Sequence, residues 1–168
     1  MPRDRPGRRR ALGDLLAAAI DPRCLTPASE QVLASDAADD QLSAGVRRFA
    51  GDAEKSLADL ADLLASGTYQ PGLLTEVVIP KDGGHRVLRV PTVPDRVVER
   101  DLLSHLRPHL DPVLGPGSFG FRPGPGVVDA VQALARLREE GFGCVLHTDL
   151  HDCFPSVDLT RLRRLLGS

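Results

Sequence analysis

Residues 143–158 have the sequence GCVLHTDLHDCFPSVD. The short apolar run at residues 142–148 predicts a β-strand that ends just before Asp149. Phe154 follows Asp149 at the far side of a predicted tight turn. A strand that brings a carboxylate to its own end, followed by a turn, is typical of phosphoryl-transfer sites that hold Mg²⁺. The segment therefore predicts a metal-binding position at Asp149.

Upstream of this segment the apolar pattern changes from a helical period to a β period. Leucine and alanine recur at helical spacing in residues 57–64, and Gly67 is placed to end that helix. Two β-branched runs then follow, at residues 74–80 and 86–90, with a DGG turn between them. This arrangement predicts a β-hairpin whose turn needs positive φ.

Three further helices are predicted in the second half of the chain. Pro94 suits the first turn of the first of them, and Pro108 should kink or break it. Its expected buried stripe is formed by Val98, Leu102, Leu106 and Leu110. A second amphipathic helix begins near Val127, after an irregular loop at residues 115–126. Asp158 is the expected N-cap of the last helix.

This order of elements predicts an α+β fold with one hairpin and one further strand. A length of 168 residues suits one domain or a fragment of a larger one, and 42% hydrophobic residues suffice for a core. A single strand needs a partner to satisfy its backbone hydrogen bonds. We therefore expect the sheet to be completed by chain outside these residues or by another molecule.

The net charge and the first 35 residues say less about function than the segment around Asp149 does. The net charge of −2 provides no overall attraction for nucleic acid. The arginines of residues 1–10 predict either a solvated tail or a basic arm that contacts phosphate. Residues 11–20 predict a short helix, and Pro22 and Pro27 predict a loop over residues 21–35.

The cysteines and the hydropathy indicate a cytoplasmic protein. Cys24, Cys144 and Cys153 include no CxxC pair, so we expect reduced thiols. Asp14 interrupts the apolar run near the start, which argues against a secretory signal. No stretch approaches the length of a membrane span, so we expect no membrane partner.

Four blocks precede the segment that contains Asp149. They are GTYQPG at residues 67–72, IPKDGGHR at 79–86, PTVPDRVV at 91–98 and SFGFRPG at 118–124. In this order, and followed by residues 143–158, they resemble the fingers and early palm of a reverse transcriptase of the group II intron and CRISPR-associated type. The resemblance covers residues 57–166. It implies a right-hand polymerase with a basic tail and N-terminal extension at 1–35, a fingers-like region at 36–140 and the beginning of the palm at 141–168.

The resemblance implies a role for each residue around the predicted turn. Asp149 would be the catalytic, metal-binding aspartate, and the carbonyl of Leu150 would also contact Mg²⁺. The backbone amides of Asp152 and Cys153 would face the triphosphate of a dNTP. Phe154 would pack beneath the ribose and exclude a 2′-hydroxyl. The implied partners are an RNA template, a DNA primer and dNTP.

Three basic residues complete the implied site. Lys81 and Arg86 near the hairpin tip would contact the phosphates of the incoming nucleotide. Arg122 would lie near the template or the nucleotide. The alternatives are charges that protect an edge strand, for Lys81 and Arg86, and a connecting loop with an exposed side chain, for Arg122.

Other readings of the same residues are structural. Asp149 could form a turn or cap a helix, and Phe154 could pack in the core. A zinc site at Cys144, His147, His151 and Cys153 is disfavoured, because Cys144 and His147 are three apart on a predicted strand and point to opposite faces. We expect the pair formed by His105 and His109 to be incidental. The GxGxxG match at residues 115–120 lacks the preceding strand of a dinucleotide site.

The sequence lacks two blocks that such a polymerase needs, a GxPQG block and a paired-aspartate block. Two-metal catalysis requires several carboxylates, and Asp149 alone leaves the cations under-coordinated. We therefore expect a split, truncated or frameshifted enzyme that is inactive by itself and needs a complementing C-terminal polypeptide. The alternative is a non-catalytic module that binds RNA or a protein.

Overall fold

The computed structural model describes residues 21–37, 44–81 and 83–166. These residues form six α-helices, a 3₁₀ turn and one antiparallel two-stranded sheet, which confirms the α+β class. The helices are α1 (Pro22–Ala37), α2 (Ala44–Gly51), α3 (Ala53–Ala65), α4 (Val93–Leu110), α5 (Val127–Glu139) and α6 (Leu159–Leu166). The strands are β1 (Thr75–Lys81) and β2 (Gly84–Val90), and the 3₁₀ turn is Asp111–Val113. The predicted basic tail and first short helix lie outside the described residues.

The chain divides into two compact units between Leu110 and Asp111. The first unit has an apolar core to which α1, α2, α3 and α4 all contribute. Its buried members are Leu25, Ala28, Val32, Val46, Phe49, Leu57, Leu60, Ala61, Val93 and Val97. The helix predicted over residues 57–64 is confirmed, because its apolar residues supply one side of this core. The division between fingers and palm at residues 140–141 stays a prediction.

Proline did not prevent helix formation at either place where the sequence suggested a break. The expected loop over residues 21–35 is wrong, because α1 occupies it. Pro22 is the first residue of α1, where its missing N–H costs nothing, while Pro27 lies inside the helix. Burial of Leu25 and Val32 against the core offsets the backbone hydrogen bond that Pro27 cannot donate. Pro108 lies in the last turn of α4, which continues to its end at Leu110.

The buried face of α4 differs from the one that the leucines predicted. Val93, Val97 and Asp101 form a row of i,i+4 neighbours that is buried. Leu102 and Leu110 from the expected stripe are exposed. The difference arises because α4 packs mainly against α1, and that contact selects the row containing Asp101. A carboxylate consequently lies on the inner face of the helix.

The hairpin forms as predicted. Strands β1 and β2 pair antiparallel, with Ile79 opposite Arg86 and Lys81 opposite Gly84. Gly83 in the turn has φ of 80°, the left-handed conformation that a tight two-residue hairpin turn requires. Both strands are exposed or half-buried along their length, so packing against the core does not hold the hairpin in place.

The base of the hairpin is fixed by the carboxylate of Asp95, on α4. The Tyr69 hydroxyl and the Gly72 backbone N–H, at 3.0 Å, both donate to it. The Thr92 hydroxyl donates at 2.6 Å, and the Thr92 backbone N–H donates at 3.3 Å. The Asp95 N–H in turn donates to Thr92 Oγ1, which makes Thr92 and Asp95 the reciprocal cap of α4. One side chain therefore joins the chain entering the hairpin to the chain leaving it.

The hydrogen bonds to Asp95 change the pKa values of the groups involved, and the packing around Asp95 leaves no space for a side chain at Gly72. Burial raises the pKa of Asp95, but the hydrogen bonds from Thr92, Tyr69 and Gly72 lower it further than burial raises it, so the pKa lies below its ordinary value. Burial and the bond to Asp95 raise the pKa of Tyr69. A Cβ at Gly72 would lie 2.5 Å from Cγ2 of Thr92, so only glycine fits there without a shift.

The second unit contains no strand among its described residues. The strand predicted at residues 142–148 is wrong, since residues 142–150 have no regular secondary structure. A strand needs a hydrogen-bonded neighbour, and the described strands β1 and β2 pair only with each other. Val145 and Leu146 are 82% and 88% exposed, so their apolar side chains also lack a packing partner in the part of the chain that the structure describes.

The two helices of the second unit begin at positions that the sequence indicated. Val127 is the first residue of α5. Asp158 caps α6, because its Oδ1 accepts from the N–H groups of Thr160 at 2.9 Å and Arg161 at 3.0 Å. The apolar face of α5 is exposed, which leaves this unit without a buried core among the described residues.

Replacing Asp95 with asparagine should destabilise the first unit. An amide cannot accept hydrogen bonds at both of its terminal atoms, so Asp95→Asn is expected to lower the free energy of unfolding by about 1–3 kcal/mol. Urea denaturation followed by circular dichroism measures the difference. Asp59→Asn, on the exposed side of α3, is the matched control and should change stability by less than about 0.5 kcal/mol.

The pH dependence of stability gives a second readout of the same change. Because the folded-state pKa of Asp95 is depressed, its carboxylate stabilises the fold above the unfolded pKa of about 3.9. That contribution is lost as the pH falls through the lower folded-state value. The unmodified chain should therefore lose more stability than Asp95→Asn between about pH 6 and about pH 3. Equal losses would contradict the role given to Asp95.

Candidate functional site

The register of the hairpin places Lys81 and Arg86 on the same face. Arg86 lies opposite Ile79, and Ile79 shares its face with Lys81 because side chains alternate along a strand. The two cations are therefore diagonal neighbours near the hairpin tip. Both side chains are exposed, and neither has an acidic partner among the described residues. The arrangement can present two adjacent positive charges to an anionic ligand.

The opposite face of the hairpin is different. Arg89 lies opposite Glu76, and its Nε is 3.1 Å from Glu76 Oε1. Val78 and Val87 face each other on the same side. The positive charge of Arg89 is therefore neutralised within the hairpin by Glu76. This face is less positive than the face with Lys81 and Arg86.

A cavity of about 610 Å³ opens at the base of the Lys81 face. Thr75, Val77 and Val90 of the hairpin line one side of it. Arg48 and Arg96 contribute positive charge from α2 and α4. The face thus runs from an apolar, basic cavity at the base to the two cations at the tip.

Arg96 is already engaged at this cavity. Its guanidinium donates to both carboxylate oxygens of Asp36, with Nη1 at 2.7 Å from Oδ2. These bonds hold the pKa of Asp36 below its ordinary value, although burial acts in the opposite direction. The ion pair connects the end of α1 to the start of α4. Arg48, the other arginine at the cavity, is exposed to solvent.

Asp149 lies in the exposed irregular segment before α6. Its Oδ1 accepts a hydrogen bond from the N–H of Leu150 at 2.9 Å. This local contact is the turn-forming behaviour expected of aspartate, and Oδ2 has no hydrogen-bond partner among the described residues. Asp149 and Leu150 are both exposed, so the carboxylate and the neighbouring carbonyl lie at the surface of the second unit.

The residues after Asp149 form a compact turn. Asp152 has φ of 49°, in the left-handed region that aspartate tolerates better than most residues. Its carbonyl accepts from the Ser156 N–H at 2.9 Å and from the Ser156 hydroxyl at 2.7 Å. Within the described chain, the N–H groups of Asp152 and Cys153 donate to no backbone carbonyl, so they can donate to an anion. The Phe154 ring is 89% exposed and does not pack in a core.

The described residues fit Mg²⁺ in donor type but not in donor number. Carboxylate and carbonyl oxygens at Asp149 and Leu150 are the ligands that this ion prefers. Asp158 is committed to capping α6, and the Asp152 carboxylate lies 3.2 Å from His151 Nδ1. No group of three candidate metal ligands includes Asp149 in the part of the chain that the structure describes. Further carboxylates are needed before two cations can be held here.

Arg122 is tied into its own Gly-rich loop. Its Nη1 donates to the carbonyls of Ser118 at 3.3 Å and Gly115 at 3.4 Å, and its Nη2 donates to that of Asp111 at 3.4 Å. Its Nε is 3.7 Å from Asp111 Oδ1, and the side chain is only 18% exposed. The guanidinium therefore holds the carbonyl groups of Asp111, Gly115 and Ser118 together. The neighbouring residue Phe121 has φ of 57° and an exposed side chain.

The structure brings some of the predicted residues together and keeps others apart. Lys81 and Arg86 are neighbours in the first unit. Asp149, Leu150, Asp152, Cys153 and Phe154 lie close in sequence in the second unit, which also contains Arg122. Each unit has its own described geometry, and the assembly of both groups around one nucleotide stays a prediction.

A polar cluster between α1 and α4 is hardly indicated by the sequence pattern. Cys24, Asp101 and His105 meet there, although the histidine was expected to be incidental. Burial raises the pKa of Asp101, with His105 acting against it, and burial also raises the pKa of Cys24. The available signal was the position of Asp101 four residues after Val97, on the row that faces α1.

Comparison with known proteins gives a local similarity. No family model matches the chain. The protein YkfC of Escherichia coli (strain K12) is 38% identical over 76 residues, which cover 45% of this chain and 20% of YkfC. The chain thus matches about a fifth of the length of this curated relative. Among the described helices, none has the length and apolarity needed to cross a bilayer.

Changing Arg122 to lysine should loosen the Gly-rich loop. Lysine keeps the charge but cannot reach several carbonyls with a planar fork, so about 1–2 kcal/mol of local stability should be lost. Chymotrypsin cleavage after the half-buried Phe119 is then expected to accelerate roughly 5- to 30-fold if cleavage follows the open population. Arg138→Lys on α5 is the control. Unchanged cleavage in both variants would mean that Arg122 does not hold the loop.

Proposed function

We propose that this chain forms the fingers and the first part of the palm of a reverse transcriptase of the group II intron type. The proposed reaction is RNA-templated transfer of deoxynucleotides by a two-metal mechanism. The observation that carries the proposal is the common face of Lys81 and Arg86 on a hairpin whose base is held by Asp95. Two adjacent cations with no acidic partner among the described residues suit the phosphates of a dNTP.

The chemistry proposed for the basic residues is electrostatic. Lys81 and Arg86 would neutralise charge on the triphosphate as the nucleotide enters. The loop closed by Arg122 would contact the template or the nucleotide with its backbone and with the remaining surface of that side chain. The cavity at the base of the hairpin would accept an apolar or stacked part of the substrate.

The residues around Asp149 would supply the start of the catalytic centre. Asp149 and the Leu150 carbonyl would hold Mg²⁺, which would polarise the transferred phosphate. The N–H groups of Asp152 and Cys153 would donate to triphosphate oxygens. Phe154 would lie beneath the sugar, and its exposure in the second unit is consistent with a surface that a ligand covers.

Residues 1–168 would not suffice for catalysis. Among the described residues Asp149 belongs to no group of three or more metal-ligating side chains, and its segment forms no strand. We infer that the remaining metal ligands come from polypeptide outside these 168 residues. The proposed partners are that polypeptide, an RNA template, a DNA primer and dNTP.

A second candidate function is a non-catalytic module that binds RNA. The exposed, irregular segment around Asp149 favours it, because a catalytic carboxylate requires a rigid support. In this case the hairpin face with Lys81 and Arg86 would act alone. The two candidates differ in whether Asp149 matters.

Primer extension tests the catalytic proposal. Purified 1–168 with an annealed RNA template, DNA primer, Mg²⁺ and dNTPs should give no extension. Adding a polypeptide that carries a paired-aspartate block and is encoded beside this chain should give extension, and Asp149→Ala should abolish it by at least about 100-fold. Extension by 1–168 alone contradicts the inferred need for further carboxylates. Extension by the mixture that survives Asp149→Ala contradicts the role of Asp149.

RNA binding tests the hairpin face separately. Lys81→Ala with Arg86→Ala should weaken binding of single-stranded RNA and reduce the slope of log K against log salt by about 1.4, roughly 0.7 for each lost phosphate contact. Lys55→Ala with Arg89→Ala removes the same charge from other surfaces and is the matched control. Fluorescence anisotropy at several salt concentrations gives both quantities. Equal weakening by the two double variants would show that only net charge matters and would sink the assignment of this face.

A further inference from the structure

A cluster of three metal-ligating side chains lies between α1 and α4, within the first unit. Cys24 is in the first turn of α1, and Asp101 and His105 are one turn apart on α4. The thiol sulfur, a carboxylate oxygen and an imidazole nitrogen all lie within 4.8 Å of one another. It is the one such group among the described residues. The packing of the two helices brings it together.

Asp101 is the unusual member of the cluster. Its side chain is 2% exposed, and Oδ2 has no hydrogen-bond partner among the described residues. Its Oδ1 is 3.5 Å from His105 Nδ1. A buried carboxylate oxygen without a partner is costly, so its position beside a thiol and an imidazole indicates that a cation belongs there.

The donor set selects the kind of cation. A thiolate, an imidazole and a carboxylate are ligands of zinc, whereas Mg²⁺ and Ca²⁺ prefer oxygen ligands only. Tetrahedral zinc with bonds of about 2.0–2.3 Å places its ligand atoms about 3.3–3.7 Å apart. The cluster therefore needs only a small contraction from its present spacing to close around the ion.

We propose that Cys24, Asp101 and His105 bind Zn²⁺, with a water molecule as the fourth ligand. Cys24 and His105 are half-buried, so solvent can reach the open position. The His105 ring also lies 2.9 Å from the Asp101 carbonyl through Nδ1. Because this contact occupies Nδ1, the ring nitrogen left to bind zinc is Nε2.

The zinc would fasten α1 to α4 at the start of α1. The ion pair of Asp36 with Arg96 fastens the same helices at the end of α1. Leu25, Val32 and Val97 are buried between these two polar links. This zinc site is separate from the proposed Mg²⁺ site at Asp149, and it can exist whether or not the chain takes part in DNA synthesis.

Zinc and cobalt titration of the purified chain 1–168 tests the proposal. We expect one Zn²⁺ per chain by elemental analysis after removal of loosely held metal, and an increased melting temperature on zinc addition that Mg²⁺ does not produce. Co²⁺ in place of zinc should give a thiolate-to-cobalt charge-transfer band in the near ultraviolet. Absence of a tight equivalent of zinc, or of the charge-transfer band, would overturn the site.

Variants identify the ligands. Cys24→Ser and His105→Gln should each weaken zinc binding at least about 100-fold and remove the melting shift. Cys144→Ser with Cys153→Ser, and His109→Gln, are the matched controls and should retain the metal. Loss of zinc with the control thiols instead of Cys24 would place the metal in the second unit and overturn the proposal.

A measurement on the unmodified chain tests Cys24 as a zinc ligand even if the variants fail to fold. Zn²⁺ should slow alkylation of Cys24 by iodoacetamide by at least about tenfold while leaving Cys144 and Cys153 reactive, as read by peptide mass spectrometry. Magnesium at the same concentration should give no protection. Equal alkylation of Cys24 with and without zinc would contradict its role as a ligand.

Discussion

The carboxylate of Asp95 is the interaction on which the first unit depends. It lies near the start of α4, is 6% exposed, and accepts hydrogen bonds from Tyr69, Gly72 and Thr92. A buried carboxylate is unfavourable unless its oxygens accept hydrogen bonds. Here the donors come from the chain just before the hairpin and from the chain just after it. The hairpin is otherwise exposed. Its direction relative to the helices is therefore set at its base by hydrogen bonding, with little help from apolar burial.

This constraint explains why the face with Lys81 and Arg86 is suited to binding. Register alone makes the two cations neighbours, but a free hairpin would move relative to the core. Because Asp95 fixes the base, the cations keep a defined relation to the cavity lined by Val77 and Arg48. A preorganised charged face loses less conformational entropy when a ligand binds.

The helices beneath the hairpin are joined by apolar packing between two polar contacts. Helices α1 and α4 run antiparallel, since Asp36 at the end of α1 meets Arg96 near the start of α4 while Cys24 meets His105 further along. The second unit lacks such support among its described residues. Its segment around Asp149 carries the proposed chemistry on exposed chain, which is why the proposed activity requires additional polypeptide.

The sequence by itself determined the features that depend on near neighbours. The turn at Gly83, the helix over residues 57–64 and the cap at Asp158 each follow from local periodicity or from one side chain reaching its own backbone. The common face of Lys81 and Arg86 also follows, once the turn fixes the register. Local patterns failed where a distant partner decides. Residues 142–148 have the composition of a strand but have no neighbour to pair with among the described residues. The tertiary structure alone decided which face of α4 is inward, and so brought Asp101 against Cys24. The physical reason is that periodicity marks apolar faces, whereas contact between helices selects which row of side chains is buried.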